Sequence, residues 1–581
     1  MEQRNLIIAI AVSVAILIGS QAIMAIFFPP KPVATTEQTA STGAPAAPSD
    51  STAPSGSATA PSAPAAAPEQ PLADRSQAIA AAPRIAIHSP RLSGSIDLKG
   101  GRLDDLVLND YRETVDPSSP NIVLLSPVGA PNAYYADFGW VAQEPGVALP
   151  NAETVWQAEG DQLAPGHAVT LTWDNGQGLK FERRFELDEN FMFKVTQRVE
   201  NTSGQTVTLF PYGLVARYGT PHLLNIYVVH EGLLGVLDGK LQEVKYKDLR
   251  EKNKVDYAST GGWLGVTDKY WLVALIPDQK AKITARFGHA LQGKTDLYQA
   301  DYRGDATPLA SGGSTETTTQ LFAGAKVVNL LDRYGDQDAI PLFNRAVDFG
   351  YLFFLTIPIF HVLDFLYSLI GNFGLSILAL TVLIRLLLFP LANKSYKAMS
   401  KMKALGPEMT KLKERFKDDK AKMQQEIMAL YKREKVNPAA GCLPILIQIP
   451  IFFSLYKVLS VTIEMRHAPF FGWIKDLSAK DPTSILNLFG LLPYHVPDLG
   501  PINLINIGIW PLVMGFTMWM QQRLNPSPPD PVQAKIMAFL PVIFTLMLGQ
   551  YTAGLVIYWA WNNTLSVAQQ RFIMWRMGIK T

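Results

Sequence analysis

The chain has 581 residues, 48% hydrophobic and 18% charged, and a formal net charge of +2. It is too apolar for an ordinary soluble protein and too near neutral to gather DNA through a global field, so membrane spans are expected and any electrostatic message must be local. A single cysteine, Cys442, excludes an internal disulfide and a thiolate metal cluster.

Leu6 to Phe28 is a run of 23 residues without a charged side chain, long enough to cross a hydrocarbon core of about 30 Å as a helix. A cleavable signal has a shorter apolar core of about 7 to 15 residues, so residues 1–28 are expected to be an uncleaved transmembrane anchor. Residues 29–83, almost wholly Ala, Pro, Ser and Thr, bury too little apolar surface to offset ordering and read as a disordered tether. From 84 to 325 the texture changes to short alternating segments, Leu179 to Leu187, Phe191 to Glu200 and Thr206 to Val215 among them, separated by turn residues, which predicts a large all-β sandwich domain.

Residues 326–372 are expected to hold a connecting helix and an amphipathic interfacial helix, because Asp348, Pro358, His361 and Asp364 interrupt the apolar run there. Residues 373–391 carry only Arg385 as a charge and read as the second span. The loop 392–438 holds thirteen Lys or Arg against six Asp or Glu, a net of +7, which marks the cytoplasmic side. Further spans are expected at 441–461, 504–520, 536–549 and 554–573. They are joined by a charge-poor outer loop at 462–503 and an inner loop at 521–535, and followed by a tail at 574–581. This gives a polytopic α-helical core of six spans with both termini in the cytoplasm.

Gly288 to Thr295 matches the phosphate-loop pattern literally. The run after it is turn-like and does not open a helix, so a hairpin is expected there. The predicted spans contain no Asp, Glu or His, which removes the groups that proton-coupled transport or intramembrane hydrolysis requires. No cofactor, metal or covalent catalysis is expected.

Arg385 requires an account, because an arginine central in a span costs about 2.5 to 3.5 kcal/mol on insertion scales. Snorkelling to headgroups is one reading. The other places it in a polar recess with Thr381, one turn earlier, and with Gln448, Asn562 and Asn563 from other spans. With no acid in the spans, water or a passing substrate is then its expected partner. In the basic loop, Met399, Met402, Leu405, Met409, Leu412 and Phe416 recur at helical spacing, as do Met423, Ile427, Leu430 and Tyr431, predicting an antiparallel helical hairpin. The stripes pack on each other in one reading. In the other, Met399, Met402, Met409 and Met423 with Lys411 and Lys413 form an adaptable contact surface for apolar segments, lipid headgroups or ribosomal RNA.

Asn437 to Phe452, Asn-Pro-Ala-Ala-Gly-Cys-Leu-Pro-Ile-Leu-Ile-Gln-Ile-Pro-Ile-Phe, closely resembles the signature of the YidC membrane protein insertases, and His467 to Pro482, Pro541 to Thr545 and Gly554 to Gln570 resemble the same family in the same order. The anchor, tether, β domain and five-span core together resemble its Gram-negative form. The resemblance implies a non-enzymatic chaperone and insertase of the bacterial inner membrane with its β domain in the periplasm. It implies nascent membrane proteins as clients, the Sec translocon as partner, and ribosome or signal-recognition targeting components alongside. It also implies a hydrophilic groove in the inner leaflet, with Arg385 as the groove arginine, Thr381 as a substrate-contacting position, and Tyr558 and Trp559 as the paired aromatics of the last span. The second aromatic is commonly tyrosine in that family, so a role needing a phenolic acceptor is lost at Trp559. A small-solute transporter using the same arginine is the competing reading.

Overall fold

The computed structural model describes residues 74–221, 229–416, 419–434, 436, 443–492, 494, 496, 505–525 and 531–576. The expected anchor, nearly all of the tether, the signature residues Asn437 to Cys442 and the last five residues lie outside the described residues.

Strict alternation builds the first half. In Leu179–Leu187 every second side chain is buried, as a pleated strand with one face in a core requires. It pairs antiparallel with Met192–Asn201, which pairs with Ser314–Ala325. These strands belong to a nine-stranded sheet that faces an eleven-stranded one. The faces meet around Phe138, Phe181, Phe193, Trp263, Phe287 and Phe322. Polar contacts also cross the sandwich, with Tyr134 donating to the Val266 carbonyl at 3.3 Å and Tyr302 bonding to Thr319. Gly324 has no room for a side chain, since a Cβ there would lie 2.2 Å from Cγ of Phe191. Gly324→Val is therefore expected to destabilise the β domain by about 2 kcal/mol through overpacking, read as a lower unfolding midpoint by near-UV circular dichroism.

The phosphate-loop lookalike is a hairpin. Lys282–Gln292 and Thr295–Gly304 pair antiparallel to the pair Gln292 and Thr295, leaving Gly293 and Lys294 as the turn, with Gly293 at φ +60°. No helix N-terminus stands there to cradle a phosphate.

From Val328 onward the described residues are mainly helical. We number these helices α1 (Val328–Gln337), α2 (Phe353–Ile370), α3 (Phe373–Ala404), α4 (Gly406–Arg415), α5 (Lys420–Arg433), α6 (Leu443–Val461), α7 (Ile509–Leu524), α8 (Pro531–Leu548) and α9 (Ala553–Arg576). Two expectations about helix bounds change. The helix that holds the expected second span does not stop at 391, and α3 runs unbroken through the change from apolar to basic sequence as far as Ala404. The first arm of the basic hairpin is thus split, and α4 starts afresh at Gly406 with Pro407 in its first turn. The span expected at 504–520 is helical only from Ile509, where the Asp481 carboxylate accepts the Trp510 N–H at 2.9 Å and the Thr483 hydroxyl accepts the Ile509 N–H at 3.0 Å. By length and composition α2, expected to lie at the interface, is as able to cross a membrane as α3 is. Two of the polar residues that suggested an interfacial helix meet α1, with Asp364 accepting from Asn329 at 2.8 Å and His361 lying 3.6 Å from Asp332.

The β domain and the helices share one apolar core that continues through Phe349, Phe360 and Ile377 to Leu455 and Leu459 of α6. Polar contacts reinforce the junction. The Glu464 carboxylate, just beyond α6, accepts the Val328 N–H at the start of α1 at 2.9 Å. Arg466 donates to the Arg112 and Glu113 carbonyls, and Lys457 of α6 pairs with Asp348 at 2.9 Å.

Candidate functional site

Helices α3, α6, α7, α8 and α9 enclose a groove of about 550 Å³. Its walls are mostly aliphatic and aromatic, and its polar lining has an unusual composition. Seven carboxamides (Gln448, Gln521, Gln522, Asn525, Asn562, Asn563 and Gln569) accompany a single charged side chain, Arg385, and no lining residue is a carboxylate among the described residues.

Arg385 projects from α3 across to α9. Its Nε donates to Oδ1 of Asn562 at 2.9 Å, and its Nη2 donates to the same oxygen at 2.7 Å and to the Asn562 carbonyl at 2.8 Å. Nη2 also donates to the Ser566 hydroxyl, and Nη1 to Oε1 of Gln569 at 3.3 Å. Asn562, Ser566 and Gln569 are spaced four and three residues apart, which puts them on one face of α9 opposite the guanidinium. The expectation that only water or a substrate would partner Arg385 is corrected by this lattice. Its chemistry matters, because every acceptor is neutral. Each of the three guanidinium nitrogens has an acceptor while the positive charge is left uncancelled, so the groove stays cationic.

Of the residues expected at this site, Arg385, Gln448, Tyr558, Trp559, Asn562 and Asn563 all line the groove. Gln448 bonds the Tyr558 hydroxyl, tying α6 to α9. The Asn563 amide donates to the Thr517 hydroxyl of α7 at 3.3 Å. Trp559 stands edge-on to Phe452 with ring centroids 4.7 Å apart. Thr381 is different. It is 2% exposed, lies off the groove lining, and donates its hydroxyl to the Ile377 carbonyl of its own helix at 2.7 Å, the usual fate of a threonine inside an apolar helix. Ser566 and Gln569 went unrecognised in the sequence, although their helical spacing from Asn562 was the available signal.

The methionine surface is also corrected. Met409 is buried with Ile427, Leu430 and Tyr431, and Met402 and Met423 pack against that cluster. Met399 is buried against Tyr396 and Ile573 of α9. Two short amphipathic helices hide their apolar stripes by closing on each other, which leaves those methionines little free surface. Lys411 stays exposed and Lys413 is half-buried.

Comparisons with known proteins agree along the chain. The family model for the YidC periplasmic domain matches residues 84–362, and that for the 60Kd inner membrane protein matches residues 365–580. A membrane protein insertase YidC of Methylorubrum extorquens is 52% identical over 600 residues, covering 100% of this chain and 96% of the relative. One from Granulibacter bethesdensis is 49% identical over 589 residues, covering 99% and 98%. A crystal structure of an active YidC insertase with its first transmembrane domain resolved aligns with 85% of this chain and 95% of its own, at 19% identity and a TM-score of 0.35. On the two family models and on relatives about half identical over nearly the whole chain, the protein belongs to the YidC family of membrane protein insertases.

Proposed function

We propose that the groove receives the short polar segment of a client membrane protein and lowers the cost of bringing it into the bilayer. The observation that carries this reading is the uncancelled charge of Arg385 among seven carboxamides in an otherwise apolar cavity. Transfer of an amide group from water to hydrocarbon costs several kcal/mol without partners, and the groove supplies donors and acceptors along its length. Its single cation favours carboxylates over ammonium groups in the arriving segment. The client's apolar helix then slides past the exposed apolar faces of the helices into lipid, driven by burial of its own surface and without nucleotide hydrolysis.

The topology that suits this mechanism puts the basic segment 392–438 in the cytoplasm and the β domain in the periplasm, with α2 along the outer membrane surface, where His361 and Asp364 bind α1. Arg385 is then about 18 Å from the outer end of α3 and about 9 Å from Leu391, in the inner half of the bilayer. The exposed lysines of the α4–α5 hairpin suit ribosomal RNA or anionic headgroups, and the β domain suits docking to the Sec translocon.

The test compares Arg385→Ala with Arg385→Lys in proteoliposomes, using a single-span client with an acidic or a neutral tail. Loss of one charge-assisted contact, about 1.4 kcal/mol, predicts that the Ala variant inserts the acidic-tailed client about tenfold less well, with Lys in between and the neutral tail little affected. Equal insertion of both clients by the Ala variant would overturn the reading.

A further inference from the structure

Beyond the groove, the loop between α6 and α7 carries an apolar surface that no contact among the described residues covers. Residues 485–492, with Tyr494 beyond them, contain no Lys, Arg, Asp or Glu. Their large side chains point outward, Leu491 being 83% exposed, Leu488 51%, Tyr494 48% and Ile485 43%. We propose that this loop is seated in lipid, its apolar side chains entering the bilayer at the β-domain end of the helices.

Two features show that the exposure is built in. Leu488 (φ 51°, ψ 45°) and Phe489 (φ 61°, ψ 30°) are consecutive left-handed residues, a conformation that costs a non-glycine residue about 1 kcal/mol or more. The backbone is held there by its own bonds. The Phe489 N–H donates to the Ser484 carbonyl at 2.6 Å, the Gly490 N–H to Oδ1 of Asn487 at 3.0 Å, and the Tyr494 hydroxyl to the Leu486 carbonyl. A loop facing water would carry polar residues at such a turn. Here the strained positions hold Leu and Phe, and the turn directs them outward.

Lipid is the occupant because the patch continues a lipid-facing surface. The loop base is fastened to the start of α7, with the Ile485 N–H donating to the Ile507 carbonyl at 2.9 Å. From there α7 exposes Leu512, Val513, Phe516 and Trp519 along its length. Phe489 and Tyr494 of the same loop are exposed, and aromatic side chains of this kind gather at a membrane boundary. Seated in this way, the loop fixes the depth of α6 and α7, which supply Gln448, Gln521 and Gln522 to the groove.

The sole cysteine makes the test direct. In a Cys442→Ser background, nitroxide labels at Leu491→Cys and separately at Leu488→Cys are compared in the full chain in phosphatidylethanolamine and phosphatidylglycerol vesicles. Val513→Cys on α7 serves as the lipid reference and Gln177→Cys in a β-domain turn as the water reference. The expected result is strong relaxation by oxygen and loss of access to a water-soluble nickel chelate at both loop positions, as at 513. Nickel access equal to that at 177 would overturn the proposal in favour of a free surface awaiting a protein partner. Shielding from both reagents would overturn it in favour of a seat inside the protein. Neither outcome depends on whether the groove handles clients, so the two readings fail separately.

Discussion

Asn562→Leu is expected to lower the stability of the helical half by about 2 to 3 kcal/mol and to lower insertion of acidic-tailed clients, by no more than the roughly tenfold expected of Arg385→Ala. Neutral hydrogen bonds between membrane helices average only about 0.6 kcal/mol, which would make the change minor. The donor here is a guanidinium, and bonds to charged groups are worth about 1.5 to 3 kcal/mol. Oδ1 of Asn562 takes two of them, at 2.9 and 2.7 Å, in a side chain only 8% exposed. Leucine has the same branching and the same number of side-chain heavy atoms, so the main loss comes from an arginine stripped of its main acceptor. Unfolding in a detergent titration reads the stability. The double variant Arg385→Met with Asn562→Leu removes charge and acceptor together and is expected to regain most of the stability, because replacing both partners by apolar groups is far less costly than removing one. It is not expected to regain insertion of the acidic client. Recovery of insertion by the double variant would show that the arginine serves folding alone.

Glu464→Gln is expected to do the opposite, stabilising the protein at alkaline pH by up to about 3 kcal/mol. Burial pushes the Glu464 carboxyl up to about 7. Its own backbone N–H and that of Val328 offset part of this, and Asp364 adds repulsion. One carboxyl oxygen accepts the Val328 N–H and the other has no partner. The folded state therefore holds a proton that the unfolded state has released above the usual 4.5. Stability from this group is fully present below that value and is lost as pH rises through about 7, at about 1.4 kcal/mol per pH unit across the window. A glutamine keeps the acceptor for Val328 and has no charge to bury. Unfolding midpoints between pH 5 and 8 are expected to fall for the wild type and to stay level for the Gln variant. A wild type with no pH dependence in that window would contradict the assignment. Because Glu464 pins α1 to the end of α6, this dependence belongs to the junction between the β domain and the helices.

Replacing Gln569 with glutamate tests the groove electrostatics from the other side. It sets a carboxylate where the amide oxygen lies 3.3 Å from Nη1 of Arg385, cancelling the charge without removing the arginine. Insertion of acidic tails is expected to fall as far as in Arg385→Ala, with neutral tails spared, in the same proteoliposome assay.

The parts legible in the sequence were those set by local pattern. Leu179–Leu187 is a strand with the expected bounds because period-two burial is written into its residues. Helix α6 ends with its apolar run, at Val461. The unbroken course of α3 to Ala404 was hidden because a helix persists when its composition changes from apolar to basic. The groove was half legible. Arg385 announced itself as a lone charge in an apolar run, whereas Ser566 and Gln569 stand 181 and 184 residues away and become its partners only through the packing of α3 against α9. Thr381 misled because spacing from Arg385 indicates neighbourhood along the helix, and its hydroxyl is satisfied by its own helix. The junction carboxyl of Glu464 gave no signal, since its burial depends on the arrival of α1 from the β domain.

The central claim, that the groove holds the client's polar segment, is tested most directly by site-specific photo-crosslinking to ribosome-stalled nascent chains. Probes belong at Gln448 and Trp559, which line the groove, with controls at Thr381, which is buried off it, and at Leu387, which is 79% exposed on the outer face of α3. The account predicts adducts from the two groove positions to the client's polar tail, from Leu387 only to its apolar span, and none from Thr381. Tail adducts from Leu387 equal to those from Trp559, or none from the groove positions, would contradict it.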